Sequence, residues 1–196
     1  MSQLILASSS PYRRTLLERL GLPFEALSPN IDETPHPGEA AEALVLRLAT
    51  AKAAKIAEAR PNATIIASDQ AAVADSPEGG AILGKPRHSA GAIAQLSRLS
   101  GRRARFLTSL CVREPNGSQQ LETEVTQVHF RTLDNDEIAR YVARDAPLDC
   151  AGSFRSEGLG IALFKRIEGD DPNALIGLPL IRLCRMLRQA GVDPLG

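Results

Sequence analysis

Two spacings of apolar residues take turns along this chain. Leu4 to Ala7 is an unbroken apolar run, as expected of a strand buried on both faces. It leads into "SSSP", where Ser10 is placed to cap a helix and Pro11 to occupy its first position. That helix is expected to run to about Leu20 and stop at Gly21. Phe24 to Leu27 repeats the strand pattern, and Glu39 to Ala59 places apolar residues at helical spacing along an Ala-rich segment. "TIIASDQAAVAD" resumes strand character with an expected break at Asp69 and Gln70, and "SPEGG" is expected to turn the chain. A helix over about Ser89 to Leu99 follows "ILGKP".

The second half reads similarly. "ARFLTSLCVRE" and "QQLETEVTQVHFR" flank "PNGS", whose Asn-Gly pair predicts a hairpin. Asp134, with Glu137 three residues on, opens a helix to about Ala143 in the manner of a capping box. An irregular stretch from Ala146 to Gly160 precedes a strand over Ile161 to Ile167, and Pro179 to Ala190 predicts a last helix. With no internal repeat or linker, the organisation is α/β or α+β: a mixed sheet with helices around it.

Candidate chemistry gathers where apolar runs end. A strand, a serine turn and a helix beginning at Pro11 present unpaired N–H groups and a partial positive charge, a cradle for phosphate or carboxylate to which Arg13 and Arg14 add forked donors. Lys52 falls near the middle of the apolar stripe made by Leu44, Val45, Leu48 and Ile56 at about 100° per residue. Such a lysine either snorkels to water or meets an anion in a cleft. Lys55, nearer the stripe's edge, is expected to be solvated. Asp69 ends an apolar run, as ligand-binding residues of α/β sheets do. If Glu33 of "NIDET" converges with Asp69, the two make a hard-oxygen site suited to Mg²⁺ or Mn²⁺, while Asp32 supplies a further carboxylate beside them. Lys85 in "GKP" sits in a stiff loop within possible reach of a phosphate.

Composition narrows the classes. At 196 residues, 43% hydrophobic and 23% charged, the chain suits one soluble domain or two small lobes sharing a core. Its 23 basic and 23 acidic residues cancel, which argues against a stable nucleic-acid partner. No apolar stretch approaches the roughly 20 residues of a membrane span, and the opening residues lack a signal peptide, so a cytoplasmic location is expected. Cys111, Cys150 and Cys184 form no CxxC pair and are expected to be reduced and mostly buried, while His36, His88 and His129 lack metal-ligand spacing. Without a GxSxG motif, the inventory favours carboxylate and metal chemistry over a serine triad.

The blocks "LILASSSPYRR", "NIDET", "LVLRLATAKA", "IIASDQ", "LGKP", "LSG", "VHFRTL", "LDCAGSFRSEGLGI" and "DPNALIGLPL", in this order from residue 4 to about 181, resemble the Maf family of nucleoside triphosphate pyrophosphatases. The resemblance implies a single domain over residues 1–196, with an elongated mixed α/β sheet and two lobes around a nucleotide cleft, related to the inosine triphosphate pyrophosphatases. It also implies hydrolysis of the α–β anhydride with a divalent metal, and suggests a homodimer. Carried over by position, Asp69 is the expected proton acceptor, and Glu33 and Asp69 the metal shell. Whether Asp69 acts as base or as metal ligand stays open. Ser8, Arg13, Lys52 and Lys85 would hold the triphosphate. Gln70 after Asp69, Glu157 in "FRSEG" and Tyr12 in "SPYRR" resemble the branch acting on N7-methyl-GTP rather than that acting on dTTP and UTP. There Glu157 would accept from guanine N1–H and N2–H₂, and Tyr12 would stack on the cationic base. The alternatives are a dTTP/UTP pyrophosphatase and a nucleotide-sensing regulator of cell division without turnover.

Overall fold

The chain's computed structural model describes residues 3–75 and 80–196. The elements are β1 (Leu4–Ala7), α1 (Pro11–Glu18), β2 (Glu25–Leu27), α2 (Ala41–Ala59), β3 (Thr64–Ala74), β4 (Ile82–Leu83), α3 (Ser89–Leu99), β5 (Arg103–Arg113), β6 (Gln119–Phe130), α4 (Asn135–Asp145), β7 (Phe164–Glu168) and α5 (Leu180–Gln189). Seven strands form one mixed sheet in the order β2-β1-β3-β5-β6-β7, with β4 on β3. β1 pairs in parallel with β2 and β3, whereas β3–β4 and β6–β7 are antiparallel. The fold is therefore mixed α/β, as expected.

Two compact units can be distinguished. The first comprises Met1–Gln70, Thr108–Glu124 and Asp171–Gly196; the second comprises Ala71–Leu107 and Val125–Asp170. β3, β5 and β6 contribute residues to both.

In the first unit both faces of β1 are covered, which is why its apolar run does not alternate. Leu4 and Leu6 pack with Leu16, Leu17, Ile66, Leu183 and Leu187, from α1, β3 and α5. Ile5 and Ala7 pack with Ala49, Ala53, Ile56, Ile65 and Ala67, from α2 and β3. β3 thus obeys a strict two-residue period: odd positions face α2 and even positions face the α1 and α5 side.

The second unit is built around an aromatic cluster. Phe106, Phe130, Phe154 and Phe164 meet edge to face with centroids 4.7–5.7 Å apart, the arrangement favoured by the ring quadrupole. Gly152, at φ +77°, lies against this cluster, and a Cβ there would come within 3.0 Å of the Phe106 ring. The Asn-Gly pair forms the expected hairpin between β5 and β6, closed by Glu114 N–H to Ser118 O at 2.9 Å, with Gly117 at φ +88°.

Several expected boundaries move. β3 does not break at Asp69 and Gln70 but runs unbroken to Ala74, because both polar side chains find partners beside the sheet. α1 ends at Glu18, followed by a turn to Gly21 at φ +67°. β2 begins at Glu25 rather than Phe24. α2 begins at Ala41, since the Glu39 side chain is engaged by Arg47 rather than by the helix. Leu159–Leu163 forms 3₁₀ turns, so β7 starts at Phe164. α4 extends to Asp145 and ends on Ala146 in the left-handed conformation. α5 spans Leu180–Gln189, with Pro179 as its N-cap. The turn expected at "SPEGG" lies, apart from Gly80, outside the described residues.

All three cysteines are free, but only Cys111 is buried; Cys150 and Cys184 are half-exposed, which corrects the expectation that most are buried. Cys150 sits in the irregular stretch after α4, and Cys184 lies on α5 four residues after buried Leu180 and three before buried Leu187, at the edge of that face. Among the described residues, no helix is long and apolar enough to cross a membrane.

The capping box at α4 forms in full. Asp134 Oδ1 accepts from Glu137 N–H at 2.7 Å, and Glu137 Oε2 accepts from Asp134 N–H at 3.2 Å. Asp134→Ala is expected to destabilise the protein by about 1 kcal/mol, read as a lower urea midpoint with an unchanged slope.

Candidate active site

The two-residue period of β3 sets up the site. Ile65 and Ala67 face α2, so Asp69, next in that series, also points toward α2. On α2, Lys52 lies three residues beyond Ala49 and four before Ile56, on the face that packs against the sheet. The helix and strand therefore deliver a lysine and an aspartate to one place. Lys52 Nζ donates to Asp69 Oδ1 at 2.6 Å and to Glu33 Oε1 at 2.7 Å. The Lys52 and Asp69 side chains are 6% and 10% exposed, and that of Glu33 is 58% exposed. The lysine thus does not snorkel to water; two of its three N–H donors are held by carboxylates. The convergence of Glu33 with Asp69 is realised through this shared ammonium.

The loop carrying Glu33 is held from α2. Arg47 donates Nε to Glu39 Oε1 at 2.6 Å and Nη2 to Glu39 Oε2 at 2.7 Å, a two-pronged pair, and Nη2 also reaches Thr34 O at 3.1 Å. The hydrogen bond from Arg47, aided by the His36 N–H, pulls the Glu39 carboxyl down to about 2. This latch therefore stays ionised at neutral pH and loosens only as pH falls toward that value. Asp32 shapes the same loop: its Oδ1 accepts from Thr34 N–H at 2.9 Å.

At the end of β1 the serines build the turn. Ser8 is buried and its Oγ accepts from Ser10 N–H at 3.1 Å, while Ser10 Oγ caps α1 by accepting from Arg13 N–H at 3.4 Å. Arg13 lies three and four residues before Leu16 and Leu17, on the buried face of α1, and its Nε donates to Gly177 O at 2.9 Å. Burial draws its guanidinium below the usual value, and the charges of Asp69 and Glu33 work against that shift. Arg13, Lys52, Glu33 and Asp69 thus form one electrostatic group of two cations and two carboxylates. Arg14 stands outside it, exposed and paired with Glu18 at 3.5 Å. Lys55 is exposed as expected and pairs with Glu58 at 2.6 Å.

Tyr12 is half-buried on α1. Gln70, on the opposite face of β3 from Asp69, donates Nε2 to Thr108 Oγ1 and Ala174 O, both at 2.9 Å, and to Leu175 O at 3.1 Å. Lys85 and Glu157 belong to the second unit and are exposed. Gln95 links the segments leading to them: its Nε2 donates to Gly84 O at 2.8 Å and its Oε1 accepts from Ser153 Oγ at 2.6 Å. Arg155, two residues before Glu157, is fixed by donating Nη1 to Asp145 O at 2.7 Å.

Three participants escaped the sequence reading: Ser68, Gly177 and the Arg47–Glu39 latch. The even-position series Ile66, Ser68, Gln70 in β3 was the available signal for the first. Nothing local marks the other two.

As for a metal, no group of three or more His, Cys, Asp or Glu residues among those described could hold one. Glu33 and Asp69 nevertheless offer two hard-oxygen carboxylates in one place, which fits Mg²⁺ or Mn²⁺, ions that take one or two protein carboxylates and complete their shells with substrate phosphates and water.

A model of the family described as Maf-like protein matches residues 3–190. A protein of Chromohalobacter salexigens named 7-methyl-GTP pyrophosphatase is 55% identical over 100% of both chains. One of the same name from Alkalilimnicola ehrlichii is 55% identical over 98% of this chain and 96% of its own. Among solved structures, the Staphylococcus aureus Ham1 protein aligns over 67% of this chain and 73% of that chain, with 17% identity and a TM-score of 0.48. Matched almost end to end by the family model and more than half identical to full-length relatives, the chain belongs to the Maf-like protein family.

Proposed function

We propose that this protein is a cytoplasmic, metal-dependent nucleoside triphosphate pyrophosphatase that hydrolyses N7-methyl-GTP to N7-methyl-GMP and pyrophosphate, clearing a modified nucleotide from the pool. The observation that carries the reading is the ammonium of Lys52 buried between Asp69 and Glu33, with Arg13 in the same electrostatic group. Two cations suit a polyphosphate, and two carboxylates suit the hard cation that accompanies it. The relatives' shared name, 7-methyl-GTP pyrophosphatase, supports the same substrate.

In the reaction, water attacks the α-phosphorus, its proton passes to Asp69, and the bond from that phosphorus to the α–β bridging oxygen breaks, releasing pyrophosphate. Arg13, Lys52, Lys85 and Ser8 hold the triphosphate, and the cations offset charge that grows on the bridging oxygen. A divalent metal held by Glu33 and Asp69 would act as a Lewis acid on the phosphate oxygens. The third N–H of Lys52, beyond the two given to Asp69 and Glu33, is available to the phosphates. Tyr12, Gln70 and Glu157 choose the base.

The test is a panel of N7-methyl-GTP, GTP, UTP and dTTP with Mg²⁺ or Mn²⁺, assayed for pyrophosphate. N7-methyl-GTP is expected to be cleaved fastest. Fastest cleavage of UTP would overturn the substrate assignment, and stoichiometric binding without product would point to a nucleotide sensor. Glu157→Gln is expected to narrow the preference for N7-methyl-GTP over UTP about ten-fold, the scale of a lost charge-assisted hydrogen bond. An unchanged ratio would remove Glu157 from base selection.

A further inference from the structure

The carbonyl of Gly177 accepts two hydrogen bonds, from Arg13 Nε and from Ser68 Oγ, each at 2.9 Å. Ser68 has no solvent exposure, so no water can take over its bond without the sheet opening. Gly177 adopts φ +126°, a conformation reserved for glycine, and a Cβ there would lie 3.4 Å from Arg13 Nε and 3.7 Å from Arg13 Cγ. The backbone at this residue therefore fits closely along the arginine stem.

The segment bearing that carbonyl is fixed at both ends. Asp171, 1% exposed, accepts from Asn173 N–H at 2.9 Å through Oδ1 and from Ile181 N–H at 2.6 Å through Oδ2. Gln70 and Thr108 both donate to Ala174 O. Ser68 and Gln70 are neighbours on one face of β3, and Asp69 between them points to the other. A guanidinium on a flexible stem is useful to a reacting phosphate only when its plane is set beforehand. Donation by Nε sets that plane and leaves the outer Nη groups for an anion.

We propose that Ser68 is a positioning residue: it aims the Gly177 carbonyl, which in turn orients Arg13 toward the polyphosphate. The inference rests on the reading that Arg13 binds phosphate.

The test is a double-mutant cycle on inorganic pyrophosphate binding in the presence of Mg²⁺, followed by calorimetry, with Ser68→Ala, Arg13→Ala and the pair. Ser68→Ala is expected to weaken binding about ten-fold in the wild-type background and by less than two-fold in the Arg13→Ala background, because its effect passes through the arginine. Ser68→Cys, which nearly keeps the volume and replaces the hydroxyl with a weak donor, is a second variant with the same expected pattern if Ser68→Ala folds poorly. Wild-type affinity in Ser68→Ala, or an equal loss with and without Arg13, overturns the positioning role. A wild-type protein that binds no pyrophosphate overturns the phosphate site as well, so the two failures are told apart.

Discussion

Asp69→Asn is expected to lower turnover of N7-methyl-GTP by about three orders of magnitude while the protein stays folded. General-base catalysis contributes some 10²- to 10⁴-fold, and an amide neither accepts the proton nor attracts a metal as a carboxylate does. The fold tolerates the change because Asn keeps an Oδ1 acceptor for Lys52 Nζ, and Glu33 still neutralises the ammonium at 2.7 Å. Single-turnover rates with matched thermal melts check both halves. Turnover within ten-fold of wild type would remove Asp69 from the mechanism.

Lys52→Met is expected to be the most destabilising of the changes considered, by about 3 kcal/mol at pH 7. Removing one partner of a buried pair leaves an uncompensated charge, and the Asp69 side chain, 10% exposed, has little water to replace the ammonium. The loss is large against a total stability of about 5–15 kcal/mol. Adding Asp69→Asn to Lys52→Met is expected to recover most of the loss, read by urea unfolding at pH 7; an undiminished deficit in the double variant would overturn the expectation.

The sequence disclosed those parts of the site whose signal is local. The serine turn before Pro11, the cap on α1, the Asn-Gly hairpin and the Asp134–Glu137 box depend on neighbours a few residues apart, and all formed. A lysine on an apolar stripe announced that it needed a partner without naming it, because Asp69 lies 17 residues away. β3 was expected to break where polar residues began, yet Gln70 finds its carbonyl partners 104 and 105 residues further on, and Ser68 finds its own 109 residues further on. A two-residue period continued through Ser68, Asp69 and Gln70 would have kept the strand intact, but only the packing shows that both faces have takers. The start of α2 was hidden for a similar reason: the helix was expected from Glu39, but Arg47, eight residues on, takes that side chain and the helix begins at Ala41.

Lys52 and Arg13 set against Glu33 and Asp69 sum to no net charge, which bears on how a ligand arrives. Opposite charges that cancel over a short span leave a field that fades far faster with distance than that of a lone charge, and dissolved salt shortens its reach further. These groups therefore do little to steer a distant polyanion through solution; discrimination begins after collision, when phosphates and their cation trade places with the internal counterions.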